Sequence, residues 1–218
     1  MRWDLRRSFE RITWHSPWPP PLPDERPVVV CTNHHHFYDA HLIWYLLHQL
    51  GRPGLVWMKE WHRFPMFAPV GALPFPDNDA QARAATVRRT ARYFRKRPAT
   101  GLVYFPSGEL QPPESGIGPY PPERFTRLHR LYPDALFWPV ALHVTWDGGP
   151  HPVAQLQGGT VLDLNVDDPT QIETELRTAW NQLRETTDPY SHLLMRGRTP
   201  PTDRWTFAWT VPLFKRLL

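Results

Sequence analysis

The chain has 218 residues, of which 41% are hydrophobic and 21% charged, and it carries a net charge of +4. This length fits one domain, and this composition can bury a core, which excludes a chain that is disordered throughout. The charge comes from 22 arginines against three lysines, so an anionic partner is expected, whether a membrane, an acidic carrier protein or a nucleic acid.

The N-terminal segment, residues 1–27, predicts a basic amphipathic helix followed by a proline-rich loop. Leu5, Phe9 and Ile12 recur at helical spacing between arginines, with tryptophans nearby. This composition is typical of a helix that anchors a protein at a membrane surface. The alternative is that the segment packs on the domain. It does not resemble a signal peptide, because no apolar run follows the basic residues.

Residues 28–186 alternate short apolar runs with helical patterns, which predicts the core of a single α/β domain, a mixed sheet flanked by helices. Strands are expected at residues 28–31, 55–58, 102–105 and 136–144. Helices are expected at residues 39–50, at 80–96 after a cap from Asp77, Asn78 or Asp79, and after Asp168 and Pro169. The predicted buried stripe of helix 80–96 consists of Ala84, Val87, Ala91 and Phe94. That of the last helix consists of Ile172, Leu176, Ala179 and Leu183.

The remaining residues, 187–218, form an aromatic and basic tail that is a second candidate for membrane contact. The longest uncharged apolar stretches, residues 65–76 and 135–146, fall short of the roughly 18 residues that a membrane span needs. The single cysteine, Cys31, cannot form an internal disulfide, which favours a reducing compartment. We therefore expect a cytoplasmic protein that is soluble or lies on the inner face of the membrane.

A loop rich in histidine, residues 33–39, follows the first predicted core strand. Strand ends are where α/β proteins place catalytic groups, and a histidine near an aspartate can deprotonate a hydroxyl. The carboxylate then fixes the tautomer of the ring and stabilises the imidazolium. His34, His35 and His36 could instead bind a metal or serve packing, but sequence neighbours rarely point the same way and no further ligands follow at the usual spacing. No resident metal or cofactor is predicted.

A second segment, residues 103–110, is a strand that runs into a turn containing proline and glycine. Gly108 permits a positive φ or close backbone approach, and Ser107 and Glu109 would project at the end of the strand. Taken alone, the pattern predicts only a strand and a turn. Its position 71 residues after the histidine motif, counted from His34 to Phe105, makes it more informative.

Together these motifs resemble the PlsC-like family of lysophospholipid and glycerolipid acyltransferases. The family's first motif, Asn-His-x4-Asp, is matched by Asn33, His34 and Asp39. Its third motif, Phe-Pro-Glu-Gly, is similar to Phe105-Pro106-Ser107-Gly108, and its fourth, proline-centred motif to residues 137–140. Lys59 follows a strand where many members carry a lysine. The resemblance covers residues 28–144.

The resemblance implies a PlsC-like fold at a membrane surface and transfer of a fatty-acyl group from acyl-CoA or acyl-carrier protein to a lipid hydroxyl. By analogy His34 is the general base and Asp39 orients its ring, and backbone N–H groups near residues 106–108 stabilise the oxyanion. The substrate-binding residues would be Asn33, Lys59, Phe105, Pro106, Ser107, Gly108 and Glu109.

Two departures from the family concern the acceptor. Asp77 and Leu110 stand where members usually carry arginines that grip the acceptor's phosphate. Either Arg63, Arg124 or Arg127 supplies that contact, or the acceptor is a glycolipid or another lipid alcohol without phosphate, which we favour. Glu109 is a candidate replacement for the glutamate that Ser107 displaces.

Two rival interpretations remain. His34-His35-x3-Asp39 also matches the motif of CoA-dependent acyltransferases of the chloramphenicol acetyltransferase and condensation-domain type, in which His35 would be the base. Ala40 stands where that motif usually has glycine. The second rival is a non-catalytic module that binds membrane surfaces. Nucleic acid is not expected, because aromatic residues are not interleaved with the basic run at residues 88–97.

Overall fold

The centre of the fold is strand β2 (Val28–Thr32), whose five residues are all buried. Val28 and Val30 join one hydrophobic cluster, whereas Val29 and Cys31 join another on the opposite face of the sheet. β-Branched residues suit a strand that is covered on both faces. The computed structural model describes residues 1–185 and 191–197, and these form one α/β domain.

Within the described residues, eight strands form one mixed sheet. They are β1 (Arg11–Trp14), β2, β3 (Gly54–Met58), β4 (Ala72–Pro74), β5 (Gly101–Tyr104), β6 (Leu136–Thr145), β7 (Val153–Gly158) and β8 (His192–Arg196). Their order is β4-β3-β5-β2-β6-β7-β1-β8. The first five of that order are parallel, while β7 pairs antiparallel with β6 and β8 with β1. The carboxyl ends of the five parallel strands meet at one edge, which we call the site edge.

Helices cover both faces of the sheet. They are α1 (Arg2–Ser8), α2 (Asp39–Gln49), α3 (Ala80–Lys96), α4 (Glu123–Leu131) and α5 (Thr170–Glu185), with 3₁₀ turns at Trp61–Arg63, Pro65–Val70 and Pro113–Ser115. Residues of α1 and α2 join one hydrophobic cluster, and those of α3, α4 and α5 join the other. In this described part of the chain, none of the helices has the length and apolar character needed to cross a bilayer.

The connections after β2 and β5 leave the sheet in opposite directions. The chain passes from β2 to β3 through α2 on one face, and from β5 to β6 through α4 on the other. A crevice at the carboxyl ends of two such neighbouring strands is the usual ligand site of an open α/β sheet. The fold therefore brings the ends of β2 and β5 together at the site edge.

The predicted elements of the core are confirmed, with small shifts at their ends. Helix α3 has the predicted bounds, and the Asp79 carboxylate caps it by accepting a hydrogen bond of 2.8 Å from the Ala82 N–H. All four residues of the predicted stripe on α5 are buried. On α3, by contrast, Ala84 is exposed, and Thr86 and Thr90 lie on the buried face with Phe94.

The amphipathic helix predicted over Leu5, Phe9 and Ile12 is wrong, and its apolar stripe does not face a membrane. Helix α1 ends at Ser8, Phe9 is extended, and Ile12 lies in β1. Leu5, Phe9 and Ile12 are at most 1% exposed and pack in the same cluster as α2. The stripe is buried because β1 pairs with both β7 and β8, so the segment belongs to the sheet.

At the other end of the chain, part of the predicted tail is strand β8. The remaining residues of that tail, 187–190 and 198–218, lie outside the described residues, and so does its proposed membrane contact. Sequence reasoning also missed four elements: β1 and β4 are short, α4 lies between prolines, and β7 has two glutamines among its apolar residues.

Candidate active site

The two predicted motifs lie side by side at the site edge. The histidine loop follows β2, the Phe105–Glu109 turn follows β5, and these strands are adjacent and parallel. The Gln111 N–H donates a hydrogen bond of 2.8 Å to the carbonyl oxygen of His34, which ties the loops together. Residues 71 positions apart in the sequence thus form one site.

His34 and Asp39 form the pair that the motif predicts. The Nδ1 atom of His34 is 3.2 Å from Asp39 Oδ2, and the same oxygen accepts the backbone N–H groups of His35 at 2.7 Å and His36 at 2.8 Å. Asp39 is 1% exposed and is the first residue of α2, where the helix dipole favours negative charge. Three donors and the helix N-terminus together stabilise this buried carboxylate.

The imidazole of His34 is held by a ring contact as well. It stacks on Phe105 with 4.2 Å between the ring centroids and an angle of 24° between the planes. The hydrogen-bond pattern assigns the Nδ1 proton to the bond with Asp39, which leaves a lone pair on Nε2. Nε2 has no hydrogen-bond partner in residues 1–185 and 191–197, and the side chain is 24% exposed. This nitrogen is therefore free to accept a proton from a bound molecule.

His35 is held differently. Its Nδ1 accepts from the Asn33 side-chain amide at 3.1 Å, and its Nε2–H donates to the Gly116 carbonyl oxygen at 3.1 Å. Burial lowers the pKa of His35, so the ring is neutral at physiological pH. Asp39 contacts His35 through the backbone alone. Both ring nitrogens are thus engaged in holding the site.

The third ring, that of His36, has partners of its own. Its Nδ1 accepts a hydrogen bond of 3.2 Å from the Tyr38 N–H, and its ring stacks on the Tyr38 ring. The three consecutive histidines therefore have three different sets of neighbours.

Asn33 is fully buried and anchors the loop to β6. Its side-chain amide donates to the Leu142 carbonyl oxygen at 2.9 Å, and its side-chain oxygen accepts the Leu142 N–H at 2.8 Å. This paired contact extends the β2–β6 ladder beyond Thr32. Asn33, expected to touch substrate, is placed to position His34 and His35.

The turn after β5 is fixed by its own hydrogen bonds. Gly108 has a φ of +74°, and its N–H donates to the Phe105 carbonyl oxygen at 3.0 Å. The Ser107 hydroxyl donates to the Glu109 carbonyl oxygen at 2.8 Å. Because the Gly108 N–H is engaged, the N–H groups of Ser107 and Glu109 are the oxyanion candidates of this turn.

Lys59 lies between two carboxylates at the site edge. Its ammonium forms an ion pair with Asp77 and is 4.0 Å from Glu109. The hydrogen bond to Asp77 raises the pKa of Lys59. Asp77 thus neutralises the lysine, and the guanidinium of Arg83 donates to the carbonyl oxygens of Pro76 and Asp77 beside it.

Of the arginines that could replace the missing ones, Arg124 contacts the motif. Its guanidinium donates to the Pro106 carbonyl oxygen. Arg63 forms an ion pair of 3.2 Å with Glu60, and Arg127 lies further along α4. This contact positions the turn after β5 and engages one of the N–H donors of the Arg124 guanidinium.

An apolar pocket, not predicted from the sequence, lies beside helix α2. It measures about 350 Å³ including its open mouth and lies between α2, β3, β4, β5 and the 3₁₀ helix Pro65–Val70. Its lining includes Ala40, Trp44, Met58, Phe67, Val70 and Val103. A signal was present in the apolar stretch 65–76, part of which forms a wall of this pocket.

His41 is the polar ring in the lining of that pocket. The residue is 7% exposed, and its Nδ1 has no hydrogen-bond partner among the described residues. Burial lowers the pKa of His41, so the ring is neutral at physiological pH.

The chain matches no known family model, and no curated protein and no solved structure is similar to it. What the site can do is therefore judged from its own residues and their geometry.

Proposed function

We propose that this protein is an acyltransferase, of PlsC-like fold, that moves a fatty-acyl group from a thioester to a hydroxyl. The observation that carries the proposal is the His34–Asp39 pair, in which Nδ1 is 3.2 Å from a buried carboxylate and Nε2 is free among the described residues. A histidine held in this way is suited to take a proton from a hydroxyl group.

The proposed reaction needs one base and one oxyanion site. His34 Nε2 takes the proton of the acceptor hydroxyl while its oxygen attacks the thioester carbonyl carbon. The carbon–sulfur bond then breaks, and the leaving thiolate receives the proton from the His34 imidazolium. Asp39 stabilises that imidazolium. The N–H groups of Ser107 and Glu109 are proposed as the oxyanion donors, each such donor typically contributing about 10²–10³ in rate.

The geometry favours His34 over His35 as the base. His35 would have to release its bond to Asn33 or to Gly116 before either ring nitrogen could accept a proton from substrate. Asp39 also contacts the ring of His34 but only the backbone of His35. The rival motif therefore requires a rearranged loop, whereas the proposed mechanism uses the loop as it stands.

The apolar pocket supports a fatty-acyl substrate. Its lining includes Ala40, His41 and Trp44 of α2, the helix that Asp39 begins, and we propose that the acyl chain of the thioester occupies this apolar space. Acyl-CoA and acyl-carrier protein are the donor classes proposed. We further propose that the protein works at the cytoplasmic face of a membrane, where lipid acceptors are available.

The charges around the site favour an acceptor that carries no phosphate. Lys59 is paired with Asp77 and lies 4.0 Å from Glu109, and Arg124 is bonded to a backbone carbonyl. Arg83 is likewise bonded to the carbonyl oxygens of Pro76 and Asp77, so a phosphate placed there would meet two carboxylates and cations that already have partners, which disfavours binding. A neutral lipid alcohol or a glycolipid fits better.

An acceptor panel tests this proposal. The protein is incubated with labelled acyl-CoA or acyl-carrier protein and with lysophosphatidic acid, monoacylglycerol or a glycolipid, and products are identified by mass spectrometry. We expect the efficiency of transfer to the neutral or glycosylated acceptor to be at least about tenfold that of transfer to lysophosphatidic acid. A tenfold ratio corresponds to about 1.4 kcal/mol. Preferential acylation of lysophosphatidic acid would contradict the acceptor class, and no transfer from any donor would contradict the function.

A further inference from the structure

An exposed apolar segment lies at the mouth of the pocket. Residues 64–70 are seven consecutive apolar residues, and none of them is buried. Phe67 and Val70 turn one side of this segment to the pocket, whereas Met66 on the other side is 66% exposed. Apolar side chains grouped in this way on a surface mark a site of interaction with a protein or a membrane.

The start of α1 lies next to this segment. Met1 and Phe67 line the same pocket, and the His41 ring is 5.3 Å from the Phe67 ring and 5.9 Å from that of Phe37. Phe37 is 61% exposed, and Trp3 on the outer side of α1 is 63% exposed. We call the outer side of α1, Phe37 and residues 64–70 the apolar rim.

Cations accompany the aromatic residues of the apolar rim. The Arg7 guanidinium lies 4.5 Å from the centre of the Trp3 ring, and that of Arg63 lies 5.8 Å from the Phe64 ring. Arg2, Arg6 and Arg7 form no ion pair within the part of the chain that the structure describes. Tryptophan beside arginine is the composition of surfaces that lie at the interface of an anionic bilayer.

We propose that the apolar rim docks on an anionic lipid bilayer, with residues 64–70 and Trp3 entering the interface and the α1 arginines contacting the headgroups. This docking surface rests on the proposed function, because the mouth of the apolar pocket faces the lipid when the rim is docked. The bilayer is chosen over a protein partner because the exposed residues are apolar and aromatic, while the three arginines of α1 outnumber its single carboxylate, Asp4.

The opposite face of the sheet provides a matched control. Leu131 and Val166 are also exposed apolar residues. Leu131 ends α4 just before β6 begins, and the loop containing Val166 is bonded to Pro133. Both lie on the face of the sheet that α4 and α5 cover, whereas the apolar rim lies beside α1 and α2 on the other face.

Sedimentation with vesicles tests the proposal. Vesicles of equal parts phosphatidylcholine and phosphatidylglycerol are compared with vesicles of phosphatidylcholine alone. We expect the wild type to prefer the anionic vesicles. The Trp3→Asp/Met66→Asp variant should bind them about tenfold more weakly or worse, and Leu131→Asp/Val166→Asp within about twofold of wild type. Circular dichroism confirms that each variant is folded.

Three results would overturn the assignment of the apolar rim to a bilayer. The first is that the wild type does not bind the anionic vesicles, and the second is that the two double variants bind them equally. The third is that the wild type forms a dimer that the Met66→Asp change dissociates, which would assign the rim to a second copy of the chain. Acyl transfer to a short-chain, water-soluble acceptor separates the two proposals. If transfer persists without vesicle binding, the docking surface is wrong, and if vesicles bind without any transfer, the enzymatic function is wrong.

Discussion

At the scale of single residues, Asp39 organises the candidate site through one oxygen. Oδ2 accepts hydrogen bonds from the His34 ring and from two backbone N–H groups, so the loop that carries the histidines is folded around the carboxylate. The five-residue spacing of the motif follows from this geometry, because the first turn of α2 must lie beneath the ring. A single carboxylate thereby sets both the loop conformation and the orientation of the His34 ring.

A second carboxylate, Asp163, makes the stability of the protein depend on pH. The Arg26 guanidinium, 2.6 Å away, and to a smaller extent the N–H groups of Asn165 lower the pKa of Asp163 from 3.8 to about 2, and the Arg26 and Asp163 side chains are both partly exposed. Because the folded-state pKa is depressed, the stabilisation is complete above the unfolded value and is lost as the pH falls towards 2. It amounts to at most about 2 kcal/mol, reduced by solvent screening.

Replacing Arg26 should weaken the pH dependence of stability that comes from Asp163. We expect Arg26→Met to lower the free energy of unfolding at pH 7 and to flatten its decline between about pH 4 and pH 2, measured by urea denaturation. Arg130→Met, which removes an exposed arginine from α4, is the control and should behave like the wild type. Parallel pH profiles for Arg26→Met and wild type would contradict the assigned ion pair.

At the scale of elements, the sequence predicted the centre of the sheet but not its outer strands. Strands β2, β5 and β6 and helices α2, α3 and α5 were predictable because each has an apolar pattern of sufficient length. Strand β1 was mistaken for helix because Leu5, Phe9 and Ile12 have helical spacing, and only the pairing with β7 and β8, distant in sequence, makes that segment extended.

The same limit applies to the site. His34, Asp39 and the turn after β5 were recognisable from local motifs. The bond between Asn33 and Leu142 joins residues 109 positions apart, and the ion pair of Lys59 and Asp77 depends on β3 and β4 lying side by side. Contacts of that kind follow from strand order, which a local pattern does not contain.

The corrected position of Phe9 gives a prediction for the N-terminal elements. Phe9 is 1% exposed and contacts the rings of His36 and Tyr38, so Phe9→Ala should lower the free energy of unfolding by about 3–5 kcal/mol. Trp3→Ala, in the exposed face of α1, should change it by less than about 1 kcal/mol. A stable Phe9→Ala variant with impaired vesicle binding would restore the anchor interpretation.

At the scale of the whole molecule, one edge of the sheet carries the residues to which the proposed function assigns the chemistry. The His34–Asp39 pair and the turn after β5 lie where the parallel strands end, whereas the apolar pocket and the apolar rim extend along the face beside α2 as far as Val70, just before β4 begins. The opposite edge carries structural contacts, such as the buried Arg52 guanidinium, which donates to the carbonyl oxygens of Arg26 and Ala99. The candidate active site and these structural contacts thus lie at opposite ends of the parallel strands.

The measurement that tests the central claim most directly is the acyl-transfer rate of His34→Ala beside that of His35→Ala. Removal of a general base costs roughly 10²–10⁴ in rate. We therefore predict a loss of that size for folded His34→Ala and measurable activity for His35→Ala, with circular dichroism to exclude unfolding. Near-normal turnover by His34→Ala together with an inactive, folded His35→Ala would contradict the account and assign the base to His35.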